Sequence, residues 1–181
     1  VVRQARRDDA DAIADAHVQA WRVAYRPFFP AAYLDSDEFD RDRRDRWRSW
    51  SWQRDGTALF VPVLDGRVVG FAFVGPERTE ADDAVTGSGE VYSFYLHPSA
   101  WGSGAAAALM DVATDGLRGD GFTEAGLWVL RDNARACAFY SKSGWWPTGA
   151  EADWSPSDAA DLVVREARYT VDLRAVHREH R

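Results

Sequence analysis

The sequence predicts one mixed α/β (α+β) domain: a seven-stranded sheet with helices on both faces, in the order β-α-α-β-β-β-α-β-α-β-β. Three observations predict it. Apolar residues recur at helical spacing within 8–25 and again within 102–118. Short β-rich runs stand between the helical segments, two of them joined by Asp65-Gly66. No repeat, linker or low-complexity stretch interrupts residues 1–181, which read as a single domain of ordinary size.

The elements follow in order. "VVRQAR" (1–6) reads as the first strand. Ile13, Ala16, His17, Ala20, Trp21 and Ala24 make one face of an amphipathic helix over 8–25, which "RPFFP" (26–30) breaks. A second helix is expected within 35–50, its dense mixed charges forming a solvated face with Phe39 and Trp47 turned inward. Residues 58–75 form a hairpin, because Asp65-Gly66 supplies the positive φ angles of a tight turn. A polar loop (76–88) leads to a fourth strand, "EVYSFYL" (90–96). The helix at 102–118 places Ala105, Ala108, Leu109 and Val112 on one face. "AGLWVL" (125–130) is a strand, 133–143 a short helix, and "WWPTG" and 167–173 the last two strands. The tail 174–181 reads as a frayed, solvated end.

Composition narrows the function. Hydrophobic residues are 46% and charged residues 28% of the chain, as in a folded globular protein. The net charge of −7 argues against nonspecific nucleic-acid binding, which needs a basic face. No apolar run approaches the roughly 20 residues of a membrane span, and the N-terminal segment has no secretory h-region. A single cysteine, Cys137, excludes a disulfide framework and a cysteine metal cluster. The expectation is a cytoplasmic protein with no metal, no nucleic-acid partner and no membrane partner. The sequence leaves oligomeric state open, a homodimer included.

The chemistry concentrates in "LHPSAWGSGAAAALM" (96–110). A strand ends, two glycines follow at alternate positions, and a helix begins. The first amides of a helix lack internal partners and carry positive potential, so they receive anions. Gly102 and Gly104 let backbone N–H groups approach a phosphate, and Ser103 adds a hydroxyl. A tight turn with no ligand explains the glycines equally well. There is no G-x-x-x-x-G-K-[ST], and G-x-G-x-x-G is spoiled by Ala107.

Two segments carry a family resemblance. "WGSGAA" (101–106) resembles the acyl-CoA-binding signature [QR]-x-x-G-x-[GA] of the GNAT superfamily of N-acyltransferases. Asn133, Ala136, Phe139, Tyr140, Gly144 and Trp145 match its segment N-x-x-A-x-x-F-Y-x-x-x-G-[FW]. Trp101 departs from the pattern, because it stands where a Gln or Arg is usual.

The resemblance implies a mostly antiparallel sheet whose fourth and fifth strands splay apart, with acetyl-CoA as co-substrate between them. Phe94, Tyr95 and Leu96 would pair with the pantetheine arm. Gly102, Ser103, Gly104, Ala105, Ala106 and Ala107 would receive the pyrophosphate, and Asn133 and Tyr140 would complete the cofactor site. The implied reaction is direct attack of a primary amine on the thioester, the amine belonging to a small molecule, amino acid, antibiotic or peptide N-terminus. Such an amine, with an unperturbed pKa of about 10, must lose a proton. The oxyanion needs a donor, for which a backbone N–H near Leu96 is the candidate. Tyr140 matches the family's acid, which protonates the departing thiolate. A base on the fifth strand is absent, since Trp128 holds that position; Glu90 on the fourth strand is the candidate, beside the alternative of a solvated carboxylate at a strand start. On a regular strand Glu90 shares a face with Tyr92, Phe94 and Leu96. His17 reads as a packed core histidine. Trp21, Tyr25, Phe28 and Phe29, with Tyr33, suggest an aromatic-walled acceptor pocket. A non-enzymatic acyl-CoA-binding or regulatory module on the same fold is the competing reading.

Overall fold

In a computed structural model, residues 1–51, 56–78 and 87–174 are described. Most of the polar loop at 76–88 and nearly all of the tail at 174–181 lie outside the described residues. The elements are β1 (Val2–Gln4), α1 (Ala10–Ala24), α2 (Ala31–Leu34), α3 (Asp37–Arg48), β2 (Ala58–Leu64), β3 (Arg67–Val68), β4 (Gly70–Pro76), β5 (Ser88–Leu96), α4 (Ala105–Gly119), β6 (Glu124–Leu130), α5 (Ala134–Lys142), β7 (Trp146–Trp154) and β8 (Val164–Asp172). Along the sheet the order is β1-β2-β4-β5-β6-β8-β7, with two-residue β3 pairing β2 beside the hairpin turn. The predicted seven strands are these seven. The predicted hairpin turn is present, with Asp65 and Gly66 both at positive φ.

Two cores divide the sheet. Leu109, Met110, Ala113 and Leu117 of α4 and Tyr140 of α5 pack on one face against Ala72, Val91, Leu96 and Leu127. On the other face α1 and α3 contribute Ile13, Val18, Trp21, Phe39 and Trp47. The buried stripe of α4 is rotated from the expected one: Ala108 is exposed, and Leu109, Met110 and Ala113 carry the burial. The face is set by the large residues, not by the alanine run.

A second departure lies in α3. Its charges are not all solvated. Arg43 shares a face with Phe39 and Trp47 and is only 3% exposed. Its guanidinium lies 3.5 Å from the Phe39 ring centroid and 4.8 Å from that of Trp21. It donates to Asp158 at 2.7 Å and to the Tyr33 hydroxyl at 3.0 Å. A buried cation needs such partners, and an ion pair plus two aromatic faces supplies them.

Among the described residues six of the strand pairings are antiparallel; β5 and β6 alone run parallel. That parallel ladder spans only Ser88–Val91 against Glu124–Leu127. Beyond it the two strands part. A bulge sits at the same level: Phe73 faces Ser93 while Val74 faces Val91, so Tyr92 is an extra residue. No described helix is long and apolar enough to cross a membrane.

β5 is held on its other edge by β4, which begins at Gly70, opposite Leu96. A Cβ at Gly70 would press on the Tyr95 carbonyl oxygen and the Leu96 Cα. Backbone cannot yield as a side-chain tip does. Gly70→Ala is expected to cost about 1–3 kcal/mol, read as a lower midpoint in urea denaturation with an unchanged slope.

Candidate active site

The parting of β5 from β6 opens a cavity of about 910 Å³ that passes through the sheet. On the α4/α5 side it is lined by Phe94, Leu96, Gly102, Gly104, Ala106, Ala107, Asn133 and Tyr140. On the α1 side it is lined by Trp21, Tyr25, Tyr95, Glu90, Trp128, Trp154 and Glu166.

The free edge of β5 follows from its hydrogen bonds. His97 N–H donates to Val69 on the β4 side. Two-residue alternation therefore turns the N–H and C=O of Leu96 and Phe94 the other way, where β6 has left. The Leu96 carbonyl is taken by the Trp101 indole N–H at 3.1 Å. Among the described residues the Leu96 N–H and both Phe94 groups remain as a short unpaired edge.

At the start of α4, Gly102 and Gly104 have φ of 79° and 85°. Only glycine adopts such backbone without strain, and Gly104 is the N-cap residue. The amides of Gly102, Gly104, Ala106 and Ala107 have no partner among the described residues, and all four residues line the cavity. Ser103 departs from expectation. Its hydroxyl donates to Ala100 O at 2.7 Å and accepts from Ala105 N at 3.3 Å, so it braces the turn. Ser103 and Ala105 do not line the cavity.

Trp101 gains a physical role. Its indole caps the end of β5, and the Arg135 guanidinium lies 3.5 Å from its ring centroid. Arg135 lines the cavity beside the free amides. A cationic side chain thus reaches this mouth of the cavity from α5, seated on the face of the tryptophan that replaces the signature's Gln or Arg. Sequence spacing alone did not single out Arg135.

Asn133 caps α5, its side chain accepting from Ala136 N at 3.1 Å. Two turns of helix later, Tyr140 is 8% exposed and packs among Phe94, Phe139, Trp145 and Tyr169. Burial, reinforced by Tyr95 and Cys137, raises its phenol well above the usual range, so it keeps its proton.

The bulge corrects the expected face of Glu90. Val91, Phe94 and Leu96 belong to the core beneath α4 and α5, while Tyr95 packs beneath α1. One extra residue between 91 and 94 reverses the alternation, so Glu90 faces the α1 side, away from Phe94 and Leu96. It is 3% exposed, and Arg78 holds it with its backbone N–H at 2.9 Å and its guanidinium at 2.6 and 3.2 Å.

Of the expected acceptor aromatics, Trp21 and Tyr25 line the cavity; Phe28 and Phe29 do not. Phe29 stacks on Trp21 at 5.7 Å, supporting the wall from behind. Trp128 and Trp154 complete the wall. The Tyr25 and Tyr95 hydroxyls lie 3.3 Å apart. Glu166 of β8 was missed by sequence reading. It lies opposite Leu130, whose side chain packs beneath α1, so both face that side of the sheet. Burial pushes its carboxyl up to about 7, Arg78 opposing and Glu90 adding. Among the described residues no cluster of His, Cys, Asp or Glu is placed to hold a metal ion.

Residues 18–145 match the Acetyltransferase (GNAT) family. An uncharacterized N-acetyltransferase of Bacillus subtilis (strain 168), YuaI, is 34% identical over 133 residues, 73% of this chain and 72% of that protein. A mycothiol acetyltransferase of Beutenbergia cavernae is 42% identical over 109 residues, 56% of this chain and 34% of its own length, so the match spans about a third of that relative. Among solved structures, a PaiA N-acetyltransferase from Thermoplasma acidophilum in complex with coenzyme A superposes with a TM-score of 0.71 at 16% identity, covering 95% of this chain and 98% of that one.

His17 stacks on Tyr95 and its Nδ1 accepts from the Trp47 indole at 3.1 Å. Burial, aided by Arg43 and Arg46, pushes its imidazole down to about 3. The folded value lies below the unfolded 6.5, so the neutral ring contributes stability above 6.5 that is lost as pH falls toward 3. His17→Gln keeps an acceptor and does not titrate. It should lose less stability than the parent between pH 6.5 and 4, measured by urea denaturation at each pH.

Proposed function

Because this chain belongs to the GNAT acetyltransferase family, we propose that it moves an acetyl group from acetyl-CoA to a primary amine by direct attack within the through-sheet cavity. The single observation that supports this most is the continuity of that cavity. It runs from the free amides at the start of α4, past Tyr140, to an aromatic chamber under α1.

The residues present fit acetyl-CoA. Four unpartnered amides with the α4 dipole behind them suit a pyrophosphate, and Arg135 adds a full charge there. The unpaired edge of β5 suits the amide groups of a pantetheine arm. Bound acetyl-CoA supplies an acetyl group activated as a thioester. The Leu96 N–H, at the end of that edge, stabilises the oxygen where negative charge develops. Tyr140 keeps its proton, so it donates a hydrogen bond to the departing sulfur and releases the proton as the C–S bond breaks. A strongly raised phenol is a weak acid, so its contribution lies in delivery timed with bond cleavage. Trp21, Tyr25, Trp128 and Trp154 receive the acceptor, and their faces suit an ammonium or an apolar amine.

A non-enzymatic acyl-CoA-binding module is not favoured. Such a module has no need of a second chamber, yet the cavity continues past Tyr140 into one lined by ionisable groups.

Thiol release from acetyl-CoA over an amine panel (phenethylamine, tryptamine, lysine and an alanyl peptide) tests the reading; coenzyme binding without release from any of them overturns it. Tyr140→Phe is expected to lower kcat by about a hundredfold, with acetyl-CoA affinity little changed. Arg135→Ala should raise the KM for acetyl-CoA about tenfold, with kcat nearly unchanged. Trp101→Ala should act in the same direction by releasing Arg135.

A further inference from the structure

Among the described residues four carboxylates line the cavity: Glu90, Asp153, Asp158 and Glu166. Three are engaged. Glu90 accepts three donors from Arg78, Asp158 pairs with Arg43 at 2.7 Å, and Asp153 pairs with Arg165 at 2.9 Å. Glu166 alone has no hydrogen bond or ion pair among the described residues. It stands on β8 opposite Leu130, beyond the last β5–β6 pair, at the level where the two strands have parted. Its charge is felt by both Tyr25 and Tyr95, whose hydroxyls lie 3.3 Å apart. Tyr140 lines the same cavity as these two phenols. The unpaired carboxylate and the proton donor thus line one cavity with that pair of phenols.

We propose that Glu166, rather than Glu90, is the general base that takes the proton from the acceptor ammonium. This rests on the acetyltransferase reading above. One proton moves from R–NH3⁺ to the Glu166 carboxylate, and the freed electron pair forms the C–N bond. The C–S bond breaks and its electrons stay on sulfur. Tyr140 hands its proton to that sulfur and recovers one from the new amide nitrogen. Glu166 then yields its proton to solvent, so acetyl-CoA and R–NH3⁺ become the amide, the free thiol and one H⁺.

The surroundings suit the task. A base poised near neutrality combines a populated carboxylate with real proton affinity, and burial supplies that poise. The groups facing Glu166 set it further. Glu90 of β5 raises it and Arg78 of the preceding loop lowers it. From α1 and β5, Tyr25 and Tyr95 face it as protonated phenols. From α3, Arg43 is neutralised by Asp158, while Arg46 pairs with Asp42. Glu90 becomes a positioning residue: locked to Arg78, it holds the charge pair that tunes its neighbour.

The test is the pH profile of kcat/KM for the best amine of the panel, with thiol release as readout. The wild-type protein is expected to show an acidic limb near pH 7. Glu166→Gln should lower kcat/KM at pH 7.5 by about a hundredfold and abolish that limb, while the acetyl-CoA Kd from calorimetry stays within about threefold. Glu166→Asp, which restores a carboxylate, should recover part of the rate together with the limb. Glu90→Gln should keep the limb but move it toward acid. A Glu166→Gln protein that turns over within threefold of wild type, or a limb lost in Glu90→Gln instead, overturns the assignment while leaving acetyl transfer intact. Absence of thiol release by the wild-type protein overturns both.

Discussion

The site depends on one event in the sheet: β5 and β6 pair for four residues and then part. Parallel strands need every bond of their ladder, so a ladder that stops leaves backbone groups without partners. Here those groups belong to Leu96 and Phe94, and Trp101 satisfies the Leu96 carbonyl. What remains is a short edge open to a ligand. The same parting lets a cavity pass from one face of the sheet to the other, so two substrates can meet from opposite sides.

The bulge at Tyr92 gives that meeting its polarity. Without it, Glu90 and Phe94 would share a face, and the carboxylate would lie with the residues that fit the coenzyme. The extra residue sends Glu90 toward α1 and keeps Phe94 and Leu96 with Tyr140. The unpartnered amides at the start of α4 and Arg135 therefore occupy one mouth of the cavity, and carboxylates and tryptophans the other. In the proposed reaction this separation matters. A pyrophosphate is kept from the carboxylates, and an ammonium is kept from the arginine that serves the pyrophosphate.

The legible part of this molecule was the part encoded locally. Helical periodicity located α1 and α4, Asp65-Gly66 located the hairpin, and the glycines before the alanine run marked the turn whose amides are left without partners among the described residues. Tyr140 and Asn133 stood out through one segment's resemblance to the family's motif. The rest depended on contacts between distant strands. No local pattern announces a bulge, so the side of the sheet that Glu90 faces could not be read from alternation. Glu166 was invisible for a similar reason. It is one charged residue in a polar strand, and it acquires meaning only from β8 lying beside β6. Ser103 erred the other way: its hydroxyl looked available in sequence, but it closes its own turn. Phe28 and Phe29 were the expected aromatic type in the expected segment, yet they pack behind the wall they were expected to form.

Burial of charge explains why Glu166 stands apart. The chamber under α1 holds Arg43, Asp158, Glu90 and Arg78 as ion pairs, and each pair limits the cost of removing charge from water. A fold selected for stability alone would pair or replace a further ionisable group in the same space. Leaving Glu166 unpaired raises its proton affinity toward neutrality, which weakens the folded state as pH rises through 7, since the protonated form is the one that burial favours. Paired neighbours are settled by geometry, but an unpaired carboxylate at an opening is free to exchange its proton. That difference in partners, more than any difference in position along the chain, separates structural from reactive charge in this cavity.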